Sequence, residues 1–268
     1  MKEAAFYKKW YTRRYRSSVK FSPSELWTLP IYPERQEVLK RIGPLGDKKI
    51  LCLGNGASFK ELYFSSAGTV VITDIVVEGL WQVKKQADGL NVLFCVADAC
   101  RIPFKDGFFD VIYGWQMSHH LSNLEDFFKE IYRVLKPGGR AVFVDNGYSP
   151  LWHIFKWKIM RPLTHLFHKI RGVSERDLEF SQSGDYREAE LSAFVKKYGF
   201  KCFNVGRYNF FSYIFCKFLR DVANVHISSR SSFIYPFVFL LSMLDRGLAN
   251  ISRGFRHNLR NMVWSFEK

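Results

Sequence analysis

Between residues 49 and 145, short apolar runs alternate with polar stretches of helical length. The apolar runs, at 49–53, 69–73, 91–96, 110–114 and 140–144, are rich in branched residues and predict β-strands. Residues 58–66, 78–87 and 123–135 lie between them and predict helices. Because strands that alternate with helices pair in parallel, the pattern predicts an α/β fold with a parallel sheet and helices on both of its faces.

The second half of the chain is less regular. It predicts a helix at 187–198, a strand at 200–208 and a closing strand at 261–266. Two long segments, 148–185 and 210–260, interrupt this pattern, and both are helix-like and rich in aromatic residues. Since no internal repeat or low-complexity linker divides the chain, we expect residues 1–268 to form a single domain with its core at 46–147.

Basic residues are concentrated in three segments. The net charge is +15, and residues 1–20, 151–171 and 246–260 contribute +6, +5 and +4 of it, so the rest of the chain is neutral. The longest uncharged apolar run, 231–244, is shorter than the roughly 20 residues that a membrane-spanning helix needs. Five cysteines without a C-x-x-C pair predict no metal site and are typical of a reducing, cytoplasmic location.

Candidate binding residues follow the first three strands. Gly54-Asn55-Gly56 comes directly after the first strand, where a glycine turn lets the backbone approach a ligand closely. Asp74 ends the second strand, at the position of an acid that binds the ribose hydroxyls of a nucleoside. Asp98 follows the third strand, where a carboxylate could accept a hydrogen bond from an adenine amine. Together these residues predict an adenosine-binding site.

A dinucleotide-binding dehydrogenase shares the glycine turn and the acid after the second strand. It normally also carries a third glycine where this chain has Phe59. That departure argues against a pyrophosphate above the helix and favours an adenosine ligand that has none.

Further motifs extend the pattern, at residues 102–104 (IPF), 108–112 (FFDVI), 118–121 (SHHL) and 134–139 (VLKPGG). With the glycine turn, the set resembles the class I S-adenosylmethionine-dependent methyltransferases, especially the branch of the ubiquinone and menaquinone C-methyltransferases. The resemblance implies a Rossmann-like, mainly parallel seven-stranded sheet with helical insertions after strands five and six. It also implies an N-terminal helical cap over residues 1–45, and insertions 148–185 and 210–260 that form a substrate lid.

The resemblance implies S-adenosyl-L-methionine as the cofactor and assigns roles to its site residues. The cofactor-binding residues that it implies are Gly54, Asn55, Gly56, Asp74, Ile75, Asp98, Ala99, Trp115 and Gln116. Among these, the glycines flank the methionine part, Asp74 binds the ribose, and Asp98 with Ala99 binds the adenine. Trp115 and Gln116 line the pocket after the fourth strand.

Two positions depart from the family pattern. The family usually has an acid where Cys52 stands and a third glycine where Ser58 stands. Loss of the acid removes an orienting contact near the cofactor's ammonium group. Weak cofactor binding, or a scaffold without catalytic activity, is therefore an alternative interpretation.

Histidines just after the fourth strand are the candidate catalytic residues. Methyl transfer requires an aligned acceptor and exclusion of water, and some acceptors also require removal of a proton. His119 and His120 are suitable bases near the expected methyl position, while the second histidine is also a largely structural residue in the family. Asp145 and Tyr148 are weaker candidates.

The basic, aromatic segments predict the class of acceptor. In residues 151–171, Trp and Phe recur at helical spacing between Lys and Arg, a pattern that suits an anionic membrane surface. We therefore expect a hydrophobic or lipid-like acceptor and a cytoplasmic protein that can associate peripherally with the membrane. RNA is an alternative acceptor, because residues 1–20 interleave basic and aromatic residues. A soluble small molecule or natural product is another, and the sequence does not predict an oligomeric state.

Overall fold

The computed structural model describes residues 33–163, 165–166, 185–221 and 234–268. Three parts of the predictions lie outside these ranges. They are residues 1–32 of the expected N-terminal cap, most of 164–184 in the first insertion, and 222–233 in the second.

Seven strands form one sheet in the order β3-β2-β1-β4-β5-β7-β6. Their bounds are β1 Lys49–Leu53, β2 Thr69–Asp74, β3 Leu93–Val96, β4 Phe109–Trp115, β5 Leu135–Asn146, β6 Lys201–Tyr208 and β7 Asn261–Glu267. The strands from β3 to β5 pair in parallel, whereas β7 is antiparallel to both β5 and β6. The predicted mainly parallel, Rossmann-like sheet is confirmed.

Two apolar cores cover the two faces of the sheet, because successive residues of a strand point to opposite faces. One core packs Leu51 and Ile112 with the helices at Leu124–Val134 and Glu188–Lys197. The other packs Ile50 and Cys52 with helices near the N-terminal side. Strands β1 and β2 are therefore buried on both faces, which explains their continuous apolar runs.

Eight α-helices are described. Their bounds are α1 Pro33–Ile42, α2 Val77–Lys84, α3 Leu124–Val134, α4 Pro150–Phe155, α5 Glu188–Lys197, α6 Phe211–Asp221, α7 Ile234–Ile251 and α8 Arg253–Arg256. Helix α3 begins where the Asn123 side chain accepts a hydrogen bond from the Asp126 amide at 3.1 Å, and it buries its phenylalanines against the sheet.

The expected helix at 58–66 is a 3₁₀-helix over Lys60–Ser66. The chain reaches it through the tight turn that ends near Ser58. A π-helical turn at Lys156–Met160 precedes Pro162, and the amide of Arg161 bonds the carbonyl of Lys156. This wider turn accommodates Pro162 within the helical segment, where a proline is otherwise expected to bend or divide the helix.

Both insertions begin at the carboxyl edge of the sheet, the edge at which β1–β5 end. The first insertion follows β5, and the second follows β6, which runs parallel to β5 because β7 is antiparallel to both. Backbone hydrogen bonds from Gly147 to Arg260 at 2.9 Å and from Arg260 to Asn209 at 2.8 Å join their bases. Among the described residues, no helix combines the length and the apolar character that crossing a bilayer requires.

Candidate cofactor and acceptor site

The predicted site residues follow the ends of β1, β2, β3 and β4 at the carboxyl edge of the sheet. In parallel sheets this edge is where ligands bind. The topology therefore brings together residues that are up to 66 positions apart in the sequence, from Gly54 to His120.

The glycine turn after β1 requires glycine for two reasons. Gly54 and Gly56 have φ values of +61° and +59°, in the left-handed region that residues with a Cβ rarely adopt. A Cβ on Gly54 would lie 2.5 Å from the Cβ of Met117, so the turn packs directly against the loop after β4. The buried Asn55 side chain holds the turn through its Nδ2, which donates to the carbonyls of Gly56 and Ser58.

Asp74 joins the glycine turn to the end of β2. Its carboxylate accepts hydrogen bonds from the amides of Gly56 at 2.7 Å and Val76 at 2.8 Å. The side chain is buried, and this burial raises the pKa of its carboxyl above the ordinary value, although the backbone amides oppose the shift. The structure therefore brings the predicted ribose-binding acid directly against the predicted methionine-binding turn.

The residues after β2 and β3 form an open surface beside Asp74. Ile75 is 58% exposed, and Asp98 is exposed with one carboxylate oxygen bonded to the amide of Cys100 at 2.8 Å. Ala99 is buried and packs in one of the two cores. The exposed branched side chain of Ile75, directly after Asp74, offers an apolar surface for the flat face of a nucleoside.

At the end of β4, Trp115 lies beside a charged cluster. The Lys60 Nζ lies 5.0 Å from the centroid of a Trp115 ring, and the Arg35 guanidinium lies 5.8 Å from it. Lys60 also pairs with the buried Glu61 at 2.7 Å, and burial lowers the pKa of Lys60. Gln116 has a φ of +53°, which turns the chain sharply away from the strand.

His119 is held by a buried carboxylate. Its Nδ1 lies 2.8 Å from Asp145 at the end of β5, and the His119 side chain is 4% exposed. The fully buried Asp145 also accepts from Ser118 Oγ at 2.6 Å and Trp264 Nε1 at 3.3 Å. His120 stacks at a tilt on His119, with ring centroids 4.1 Å apart. These contacts fix the ring of His119, and Nε2 is the ring nitrogen that does not contact Asp145.

Lys60, Glu61 and Met117 contact this site and were not predicted from the sequence. Met117 gives no sequence signal, because its contact with Gly54 depends on the pairing of β1 with β4. Lys60 and Glu61 do have a sequence signal, because both lie in the segment 58–66, which was predicted to form a helix on the sheet.

Comparison with known proteins agrees with the fold and the motifs. Residues 51–143 match the family model described as a methyltransferase domain. A demethylmenaquinone methyltransferase of Streptomyces avermitilis is 34% identical over 125 residues, which are 46% of this chain and 52% of the relative. A fatty-acid O-methyltransferase of Mycolicibacterium smegmatis is 29% identical over 157 residues, which are 54% of this chain and 56% of the relative. The chain thus spans about half the length of these relatives.

Solved structures share the architecture. Phosphoethanolamine N-methyltransferase 2 of Haemonchus contortus, in complex with S-adenosyl-L-methionine, has a TM-score of 0.58 at 17% identity. The match covers 98% of this chain and 60% of that protein, and at this identity it concerns the fold alone. The predicted resemblance is confirmed: residues 51–143 match a methyltransferase domain, and this part of the chain is similar to the S-adenosylmethionine-dependent demethylmenaquinone methyltransferases.

Proposed function

We propose that the protein transfers a methyl group from S-adenosylmethionine to a hydrophobic acceptor that reaches the site from a membrane surface. The observation that carries the proposal is the position of the two insertions. Both leave the edge of the sheet that holds the glycine turn, Asp74 and His119, and both expose apolar side chains.

The residues at this edge fit the cofactor. The left-handed Gly56 presents no side chain to the methionine part, and Gly54 lets the turn pack closely on Met117. Asp74 is already held by two backbone amides, so its carboxylate needs little rearrangement to accept from ribose hydroxyls. Asp98 and Ala99 are expected at the adenine, with Ile75 against its face.

The bound cofactor supplies an electrophilic methyl group on a sulfonium. The chain's task is to align the acceptor, exclude water and, for an acidic O–H, N–H or C–H, remove a proton. His119 is the proposed base. Asp145 would keep the proton of the neutral ring on Nδ1, so that Nε2 removes the proton from the methyl acceptor. Asp145 is thus a positioning residue that also stabilises the imidazolium once it forms.

The insertions support a hydrophobic acceptor. Ten of the sixteen large apolar residues exposed in the described structure belong to them. In the first insertion these are Leu151, Ile154, Trp157, Ile159 and Leu166, and in the second they are Phe237, Leu240, Met243, Leu244 and Ile251. Concentrated exposed apolar surface marks a site that binds lipid or another apolar partner. The relatives named above have hydrophobic substrates in their names, in agreement with this class.

Basic residues beside this apolar surface support an anionic membrane as the source of the acceptor. Trp157 is 56% exposed, and the Arg161 guanidinium lies 4.4 Å from the centroid of its ring. Lys158 is exposed next to them. Trp at the lipid interface, with Lys and Arg toward phosphate headgroups, is the arrangement of an interfacial helix.

Vesicle co-sedimentation tests this proposal. Wild type should sediment with vesicles that contain phosphatidylglycerol more than with neutral ones, and part of the binding should persist at high salt. Trp157→Ser should weaken retention several-fold. Trp81→Ser is the matched control, since Trp81 is 60% exposed on α2 outside the insertions, and it should leave retention unchanged.

Tritiated S-adenosylmethionine then identifies the acceptor class. Incubated with a lipid extract, an RNA fraction and a water-soluble extract, the enzyme should label the lipid fraction. Salt-sensitive RNA binding, with label in RNA and no retention on vesicles, would refute the acceptor class while leaving methyl transfer intact.

A further inference from the structure

Two buried acceptors next to the glycine turn have no donor among the described residues. They are Oδ1 of Asn55 and Oε2 of Glu61, whose residues are 7% and 2% exposed. The orientation of the Asn55 amide is fixed by its Nδ2, which donates to two carbonyls of the turn. Burying an oxygen without a hydrogen-bond donor costs free energy of desolvation, and the cost is larger for a carboxylate. These two oxygens therefore predict a ligand that brings N–H groups.

Glu61 lies against the end of β1. Cys52 on β1 and Tyr113 on β4 are register partners on the same face of the sheet. Burial raises the pKa of both groups, and the negative charge of Glu61 adds to the shift at each of them. The 3₁₀-helix that carries Glu61 packs on this face, because the ring centroids of Phe64 and Tyr113 lie 5.4 Å apart and Leu62 belongs to the same core as Cys52. Glu61 therefore belongs to the segment that covers position 52, where the resemblance predicts an acid and the chain has a thiol.

Lys60 ties this carboxylate to the glycine turn. Its Nζ lies 2.7 Å from Oε1 of Glu61 and donates to Oγ of Ser58 at 3.0 Å. Oε1 is thus paired, and Oε2 is the oxygen that lacks a donor. Lys60 and Arg35 also bring two positive charges beside Trp115, so the cluster presents both signs of charge next to the turn.

A zwitterionic amino-acid group is the ligand chemistry that matches these charges. We propose that Glu61, together with Asn55, binds the ammonium group of the cofactor's methionine part and replaces the acid that position 52 lacks. Both oxygens are enclosed by protein atoms, so the turn must shift to admit the ammonium group. The inference rests on the proposed use of S-adenosylmethionine and assigns one contact within that site.

Calorimetry with two ligands tests the assignment. S-adenosylhomocysteine carries the amino-acid group, whereas methylthioadenosine shares its adenosine and thioether and lacks that group. Glu61→Gln should raise the Kd for S-adenosylhomocysteine about tenfold or more and change that for methylthioadenosine by less than about twofold. Asp88→Asn, an acid-to-amide change on an exposed turn, is the control and should change neither.

The outcomes separate this inference from the proposed function. Unchanged binding of S-adenosylhomocysteine by Glu61→Gln, or an equal loss for both ligands, overturns the assignment alone. Wild type that binds neither ligand overturns the proposed function as well.

If Glu61→Gln does not fold, a wild-type measurement decides. The S-adenosylhomocysteine analogue that lacks only the α-amino group should bind about tenfold more weakly or worse, and equal affinity refutes ammonium recognition.

Discussion

Gly54→Ala should damage both the stability of the protein and its cofactor site. Gly54 has a φ of +61°, and its added Cβ would lie 2.5 Å from Cβ and 3.0 Å from Cγ of Met117. The left-handed conformation costs alanine about 1–2 kcal/mol. Overlap in a packed site adds about 1–3 kcal/mol. The lower entropy of the unfolded alanine chain returns about 0.4–1 kcal/mol, so we expect a net loss of about 1–5 kcal/mol.

Gly107→Ala is the matched control for the clash. Gly107 has a φ of +59°, nearly the same as Gly54, yet its Cβ would meet no atom within 4 Å. The two variants therefore share the conformational cost, and the difference between their unfolding free energies isolates the overlap with Met117. Met117→Ala should not rescue Gly54→Ala, because the nearest atom is the Cβ, which alanine keeps.

Urea unfolding and calorimetry check both effects. Gly54→Ala should be about 1–3 kcal/mol less stable than Gly107→Ala. It should also bind S-adenosylhomocysteine about tenfold more weakly or worse, because the turn is displaced. If the two variants are equally stable and bind S-adenosylhomocysteine equally well, the close packing of the glycine turn on Met117 is refuted.

Three further predictions concern acids and bases. His119→Ala should abolish methyl transfer without changing the Kd for S-adenosylhomocysteine, and Asp145→Asn should lower turnover about 100-fold. Full activity of either variant in a tritium-transfer assay would refute the assignment of His119 as the base. Since burial raises the pKa of Asp74 and the ionised form accepts from ribose, affinity should fall as the pH decreases through that raised pKa, and calorimetry of Asp74→Asn should show a flatter pH profile. The hydrogen bond from the Arg133 guanidinium lowers the pKa of Glu130 in the folded protein. The stabilisation that ionised Glu130 contributes is therefore fully present above its pKa in the unfolded chain, and it is lost as the pH falls through its lower pKa in the folded protein. Glu130→Gln should therefore cost about 1.5–3 kcal/mol in urea at pH 7 and much less in acid, and an equal loss at both pH values contradicts this assignment.

The sequence predicted β1 and β7 closely, because both strands are short and buried. Residues 49–53 and 261–266 were predicted to within one residue of the observed β1 and β7. The 3₁₀-helix at Lys60–Ser66 was predicted as an ordinary helix, since apolar periodicity does not separate the two types over seven residues. Strand β5 begins at Leu135, earlier than predicted, because the chain pairs with β4 before the glycines at 138 and 139.

Contacts between distant residues could not be predicted. Asp145 was a weak candidate from the sequence, and only the neighbouring positions of β4 and β5 bring it to His119 at 2.8 Å. The burial of Glu61 likewise depends on how the segment after the glycine turn packs on the sheet. Such pairings arise from three-dimensional packing, which hydrophobic periodicity does not encode.

The most direct test of the central claim is calorimetric titration of S-adenosylhomocysteine into the wild type and Asp74→Ala. We predict saturable binding at one site per chain by the wild type, and a loss of about tenfold or more in the variant, because Asp74 joins the glycine turn to the proposed ribose site. No binding by the wild type, or equal binding by Asp74→Ala, would contradict it.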